Sequence, residues 1–328
     1  MAWLDVKGHK DVVGFLVNAH KNHRLGHCFL FLGPEGIGKR RLAGEFAKFL
    51  LCEAPTEFGA CGKCRSCLQV TSDNHPDLHI ISRGELGWIK IGDIRALQSQ
   101  IHLSPFSGKH KIFIIDNAHM LTQDAANSLL KFMEEPPPGA ISVLITSQID
   151  SIPETLVSRC QRLYFSSLSS QEIEETLSET LPHDRGLINF IARFSEGRLG
   201  RAISLIKRKD IQSAKNRLLR NIIDNNLALD DFAVNLNREN LNMLIEFTLL
   251  FFRDILLLKA GLGKEFLVNF DEVDTLTSLA SKMEMPEIKD ALEDILKAQA
   301  LSRTNVNCKI LLRWLEVQLQ KKLRFNYA

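Results

Sequence analysis

The stretch Gly33-Pro34-Glu35-Gly36-Ile37-Gly38-Lys39-Arg40 limits what this chain can fold into more than any other. It follows a compact apolar run, Cys28 to Leu32, and leads into Lys39 to Leu51, where Leu42, Phe46, Phe49 and Leu50 recur at helical spacing. A strand, a glycine-rich turn and a helix in that order make a phosphate loop. The glycines let backbone N–H groups converge on phosphate oxygens, the helix N-terminus adds its dipole, and the lysine supplies a point charge. Gly33, Gly36, Gly38 and Lys39 are the candidate nucleotide contacts.

The last position of the loop breaks the pattern. A hydrolytic loop places Ser or Thr there to hold Mg²⁺, whereas this chain has Arg40, which cannot ligate a metal and brings positive charge to the ion's place. The run Ile112-Phe113-Ile114-Ile115 ends in Asp116, the expected Mg²⁺-facing acid, but the next residue is Asn117 where a water-activating glutamate is needed. Asp116 therefore belongs to a degenerate nucleotide site. ATP and Mg²⁺ binding by this chain is doubtful, and hydrolysis by it alone is not expected.

The first half alternates short apolar runs with helical patterns, the signature of a parallel α/β sheet. Asp77–Ile81, Ile112–Ile115 and Ile141–Ile145 read as strands. A helix runs from a Thr122 cap to Glu135, with Ala125, Ala126, Leu129, Leu130 and Met133 on its apolar face, and Pro136-Pro137-Pro138 stops it. Strands cease after Tyr164-Phe165. Residues 169–208 form a small helical unit capped by Ser169 or Ser170, and the chain from about Asp210 onward is helical with breaks at Gly261-Leu262-Gly263 and Met285-Pro286. The expected organisation is an α/β phosphate-loop core over 1–166, a helical lid over 167–208 and an all-α C-terminal domain over 209–328.

Cys52, Cys61, Cys64 and Cys67 fall within sixteen positions, and Gly62 eases the turn between them. Closely spaced thiolates converge on one ion, and a closed four-sulfur set is a structural zinc site with no open position for chemistry. An iron–sulfur cluster is the weaker reading, since the fourth cysteine and proline of the ferredoxin pattern do not follow; unmetallated core thiols are the third. Cys28, Cys160 and Cys308 stand alone in apolar contexts and read as packing residues. The module at about 52–70 is thus a metal-binding insertion.

At 328 residues the chain exceeds the roughly 250 at which one core stops growing. Its formal net charge of +2 gives no overall footprint for nucleic acid, so DNA contact must come from a local patch or a larger assembly. The N-terminus carries Asp5 and no apolar run, and Arg253 and Asp254 interrupt the apolar stretch Phe247–Leu258, so a cytoplasmic chain without membrane span is expected.

With these residues in place the chain resembles the clamp-loader subunits of bacterial DNA polymerase III, a branch of the AAA+ group, over nearly its whole length. Gly8-His9, the segment Arg24 to Phe31, the four cysteines and Asn74-His75-Pro76-Asp77 carry the likeness. Asp124 to Lys131 with Glu134-Glu135-Pro136-Pro137, and Ser158-Arg159-Cys160, are its most specific parts; Asn305 and Asn307 match a weaker pattern. The resemblance implies a subunit of a five-membered ring that opens the sliding clamp and loads it onto primer-template DNA. Its partners would be delta and gamma/tau subunits, its C-terminal helices the collar, and its own part that of a stator. It also makes Arg159 an arginine finger presented in trans to a neighbour's nucleotide. In the lid, Gly200 stands where motor subunits carry a sensor arginine, with Arg198 and Arg201 beside it; the other sensor position is Ser147. Such a subunit belongs to the polymerase holoenzyme without polymerase activity of its own. An active gamma/tau-like motor is the alternative; a P-loop kinase is the weakest reading, since acceptor-site chemistry is absent and the Ser-Arg-Cys and four-cysteine features would have no purpose in it.

The remaining features have plain readings. Asn127 and Lys131 lie on the polar side of their helix, and the resemblance implies that they are interface or DNA-channel residues. His27, His75 and His119 lack metal-ligand spacing. Lys207-Arg208-Lys209 and Lys321-Lys322-Leu323-Arg324 read as solvated helix ends, and Leu241–Leu258 and Lys309–Leu323 as helices with a face to bury.

Overall fold

Five strands dictate where the loop sits. The computed structural model describes residues 7–57, 59–82, 87–101, 105–106, 110–179, 184–207, 213, 216–217 and 237–323. The chain divides into two units, residues 1–176 with 195–202, and residues 177–194 with 203–328.

In the first unit β1 (Cys28–Leu32), β2 (Leu78–Ile81), β3 (Lys111–Ile115), β4 (Ala140–Thr146) and β5 (Gln161–Tyr164) make one sheet. Their order is β2-β3-β4-β1-β5, and every neighbouring pair is parallel. Helices α1 (Lys10–Lys21), α2 (Lys39–Leu51), α3 (Arg65–Thr71), α4 (Ile91–Ile101), α5 (Gln123–Glu134) and α6 (Glu154–Val157) belong to the same unit. Phe29 and Phe31 enter one core with Leu42 and Phe46 of α2, whereas Cys28, Leu30 and Leu32 enter a second with Leu129 of α5 and Leu156 of α6. A sheet covered on both faces buries every residue of a central strand, and β1, β3 and β4, apolar but for Lys111, Ser142 and Thr146, are buried along their whole length. The expected α/β class is borne out.

Local signals set the helix ends that matter. Thr122 caps α5, its hydroxyl accepting from Ala125 N at 3.3 Å, and the proline run follows the last turn. The expected apolar face of α5 is buried at Ala125, Ala126, Leu129 and Met133 and is joined by Phe132, with Leu130 partly buried. Ser169 rather than Ser170 caps α7 (Ser170–Ser178), exchanging hydrogen bonds with Glu172. Two short helices follow, α8 (Arg185–Phe194) and α9 (Leu199–Ile206).

The second unit is helical in its described part: α10 (Arg238–Lys259), α11 (Val273–Lys282), α12 (Met285–Ser302) and α13 (Cys308–Leu323). The expected break at Met285-Pro286 is the start of α12, where Glu284 and Glu287 form a reciprocal capping box. Asn307 caps α13 by accepting from Lys309 N at 2.9 Å. Within α10 the buried Asp254 accepts from the backbone N–H groups of Val268 and Asn269 and from the Asn269 amide; these three hydrogen bonds offset only part of the cost of burial, which still raises its pKa. No helix among the described residues is long and apolar enough to cross a membrane. Arg208, Lys209 and Arg324 of the two charge runs lie outside the described residues, as does the 208/209 boundary.

Candidate functional site

The loop leaves the carboxyl end of β1, where a parallel sheet concentrates its ligand sites. Gly36 (φ 79°) and Gly38 (φ 105°) hold backbone angles that a side chain resists, and Gly38 caps α2. Around the loop lies a cleft of about 340 Å³ lined by Glu35, Gly36, Gly38, Lys39, Arg40, Arg41, Asp116, Asn117, Ile145, Thr146, Ser147 and Gly200. Small-molecule sites run from about 300 to 1,000 Å³, so room alone does not exclude a ligand. Chemistry decides.

Lys39 donates to the carbonyls of Gly33 at 2.5 Å and Pro34 at 2.6 Å, so its ammonium serves the loop's own backbone. Burial pushes its pKa down to about 8, against the pull of Asp116 and Glu35, and at neutral pH it keeps its charge. Arg40 Nη1 stands 3.4 Å from Asp116 Oδ2. Asp116, the acid expected to face the ion, thus faces a guanidinium in the position a metal ion would need. Asn117 adopts a left-handed backbone (φ 58°) and offers no base. Gly200 N donates to Gly36 O at 2.7 Å, a contact made by backbone alone. His9 Nε2 donates to Ile37 O at 2.8 Å. The residues present do not fit Mg²⁺–ATP: the metal's place carries positive charge and the loop's lysine is engaged with its own carbonyls.

Ser147 is exposed at the cleft, and the hydroxyl beside it on β4, Thr146, is fully buried and shares a hydrogen bond with His119 Nδ1 at 3.2 Å. His75 is buried and accepts from Asp77 N; burial lowers its pKa. His27, Asn127 and Lys131 are exposed. Arg198 pairs with Glu196. The Cβ atoms of Arg198 and Arg201 lie near Gly36, so the two arginines flank the loop where Gly200 touches it.

Arg159 does not line this cleft. It sits between α6 and β5, its side chain 38% exposed, with Nη2 donating to Glu134 Oε1 at 2.8 Å and Nη1 to Thr155 O at 3.0 Å. The neighbouring Cys160 is buried in the core, which anchors the turn. Neither the Glu134 contact nor the Gly36–Gly200 bond is legible in the sequence, since each joins segments distant along the chain.

The four clustered cysteines do converge. Cys52 ends α2, Cys64 caps α3 and Cys67 lies in its first turn. All four sulfurs lie within 4.8 Å of one another, with Cys52 to Cys64 at 4.0 Å and Cys61 to Cys67 at 3.9 Å. Four thiolates at about 2.3 Å from one tetrahedral ion would be about 3.8 Å apart, so the set fits a metal ion. Backbone N–H groups of Cys61, Cys64 and Cys67 point at the sulfurs of Cys52, Cys61 and Cys64 at 3.3–3.4 Å, bonds that favour thiolate. Those from Lys63 and Cys64 hold the Cys61 thiol down to about 6.

A test of the closed loop follows from Gly200. A methyl there would meet Gly36 O at 2.7 Å, whereas one on Gly44, mid-helix in α2, would meet nothing within 4 Å. Gly200→Ala is expected to destabilise the protein by about 1–3 kcal/mol, and Gly44→Ala to stabilise it by up to about 1 kcal/mol. Urea unfolding measures both; equal effects would show that the 195–202 segment does not press on the loop.

Residues 8–169 match the family model described as DNA polymerase III, delta subunit, and residues 210–320 match the model for the C-terminal region of the same delta family. DNA polymerase III subunit delta′ of Bacillus subtilis (strain 168) is 30% identical over 324 residues, covering 94% of this chain and 95% of its own. DNA polymerase III subunit tau of the same organism is 29% identical over 330 residues, covering 92% of this chain, which spans 58% of tau. A gamma subunit-related protein from Thermotoga maritima superposes with a TM-score of 0.49 at 19% identity, covering 94% of this chain and 99% of that one.

Proposed function

The chain belongs to the DNA polymerase III delta-subunit family and is delta′-like rather than gamma/tau-like; from that premise we propose that it is the non-hydrolysing stator of a clamp-loading assembly. The observation that carries the reading is Arg40 set against Asp116 at 3.4 Å, which puts positive charge where the metal ion of a bound nucleotide would sit. Its partners are a delta subunit and gamma/tau motor subunits, and the assembly acts on a sliding clamp and primer-template DNA. Arg159 is the arginine finger that completes a neighbour's site. Its exposure and its position outside the chain's own cleft support that role. An arginine suits the task because its charge is permanent and its planar fork spans phosphate oxygens. The 1–166 core, the 167–208 lid and the 209–328 collar are the working divisions of the chain. The ion held by Cys52, Cys61, Cys64 and Cys67 is zinc, in a structural role.

Pull-down with the candidate delta and gamma/tau subunits, followed by ATPase assay with and without this chain, tests the reading. The purified chain alone is expected to hydrolyse no ATP. Lys39→Ala is expected to change the ATPase of the assembly by less than about twofold, since the ammonium serves only its own loop. Motor-like hydrolysis by the isolated chain, lost in Lys39→Ala, would instead establish the gamma/tau-like reading.

A further inference from the structure

Arg159 is held by two acceptors from two separate helices. Nη2 donates to Glu134 Oε1 at 2.8 Å from the last residue of α5, and Nη1 donates to Thr155 O at 3.0 Å from within α6. Two bonds to two nitrogens of a rigid plane fix its orientation as well as its position. They leave Nε–H and the second hydrogen of each terminal nitrogen for an oxyanion. Both supports are stiff. Phe132 and Met133, just before Glu134, are buried in the core, the proline run ends α5 beyond it, and Leu156 and Val157 bury the side of α6 that faces inward.

We propose that Glu134 is a positioning residue for Arg159, presenting its guanidinium in the one orientation that meets the phosphates bound by a neighbouring subunit. The inference rests on the reading of Arg159 as a finger in trans. A long, rotamer-rich side chain left free would spend little time in a productive geometry, and a small misplacement of a charged group costs rate steeply. Neutralisation by Glu134 is the opposing effect. With Glu134 51% and Arg159 38% exposed, water screens the pair and charge cancellation is weak, so alignment prevails.

The assembled complex tests this by single-turnover ATP hydrolysis at saturating ATP, where the site served by Arg159 appears as its own slow phase. Glu134→Ala is expected to slow that phase about tenfold with unchanged ATP affinity and unchanged melting temperature. Glu134→Gln keeps an oxygen acceptor at Oε1 and is expected to restore most of the rate. The double variant Glu134→Ala with Arg159→Ala is expected to be no slower than Arg159→Ala alone. A wild-type or faster phase in Glu134→Ala, with Arg159→Ala still slow, overturns the positioning role and leaves the finger standing. Glu134→Gln as slow as Glu134→Ala places the effect in charge and overturns it as well. A normal phase in Arg159→Ala removes the finger and the positioning residue together.

Discussion

Hydrolysis at the nucleotide site that Arg159 serves is expected to fall about 10³-fold or more in an assembly carrying Arg159→Ala, the loss that removal of an arginine finger produces. The chain itself should fold and assemble as before. Arg159 is a partly exposed side chain whose contacts here are Glu134 and one backbone carbonyl, and exposed pairs of this kind contribute about 0–1 kcal/mol. Rapid-quench hydrolysis and clamp loading by the reconstituted complex measure the effect, with gel filtration as the control for assembly. A complex that assembles and keeps full hydrolysis at every site would remove Arg159 from the mechanism. Arg159→Lys makes the test sharper: it retains charge but loses the fork that grips Glu134 and the Thr155 carbonyl, so it should remain far below wild type.

The second large effect concerns stability. Cys67 is fully buried and its sulfur lies 3.9 Å from that of Cys61, so Cys67→Ser removes an interior ligand rather than a peripheral one. Structural zinc supplies about 10–16 kcal/mol of apparent folding free energy to small modules, and three ligands with a serine do not hold that ion as tightly. The segment from Cys52 to Cys67 should then unfold while the sheet persists, because the small cluster of Cys52, Ala60 and Cys67 is separate from the core clusters of the sheet, which Val70 of α3 joins. Metal analysis should drop from one zinc to near zero per chain, and limited proteolysis should cut within the module. A stoichiometric ion and a protease-resistant module in the variant would show that the four sulfurs do not share a metal. A brown wild-type protein would replace zinc by an iron–sulfur cluster.

Much of the site is legible in the sequence because its parts are local. Gly33 to Lys39 are consecutive, and a strand before them and a helix after them are strong short-range signals; α2 begins at Lys39 as that reading requires. Cys61, Cys64 and Cys67 are three residues apart, so a single turn and the start of α3 suffice to gather them. Arg40 and Asn117 can be judged as residue types without coordinates, since an arginine cannot ligate a metal and an amide cannot act as a base. What is not legible is how those defects are used. Ser147, which the resemblance implies as a sensor position, is exposed just past the end of β4, whereas the hydroxyl of Thr146 one residue earlier is buried and bonded to His119. A shift of one residue on a strand exchanges its two faces, and an apolar run covered on both sides hides which face is which.

Local patterns in the sequence suffice for the strands at 28–32, 77–81, 112–115 and 141–145, the phosphate loop with its unusable last position, the four-cysteine module and the Ser158-Arg159-Cys160 motif. Each is written in neighbours along the chain, where backbone preference and side-chain chemistry act at short range. Tertiary packing alone brings Arg40 to Asp116 across 76 positions, closes Gly200 on Gly36, and sets Glu134 against Arg159. Those pairings depend on which strand ends lie side by side in the order β2-β3-β4-β1-β5, and that order is set by burying both faces of the sheet rather than by any local pattern.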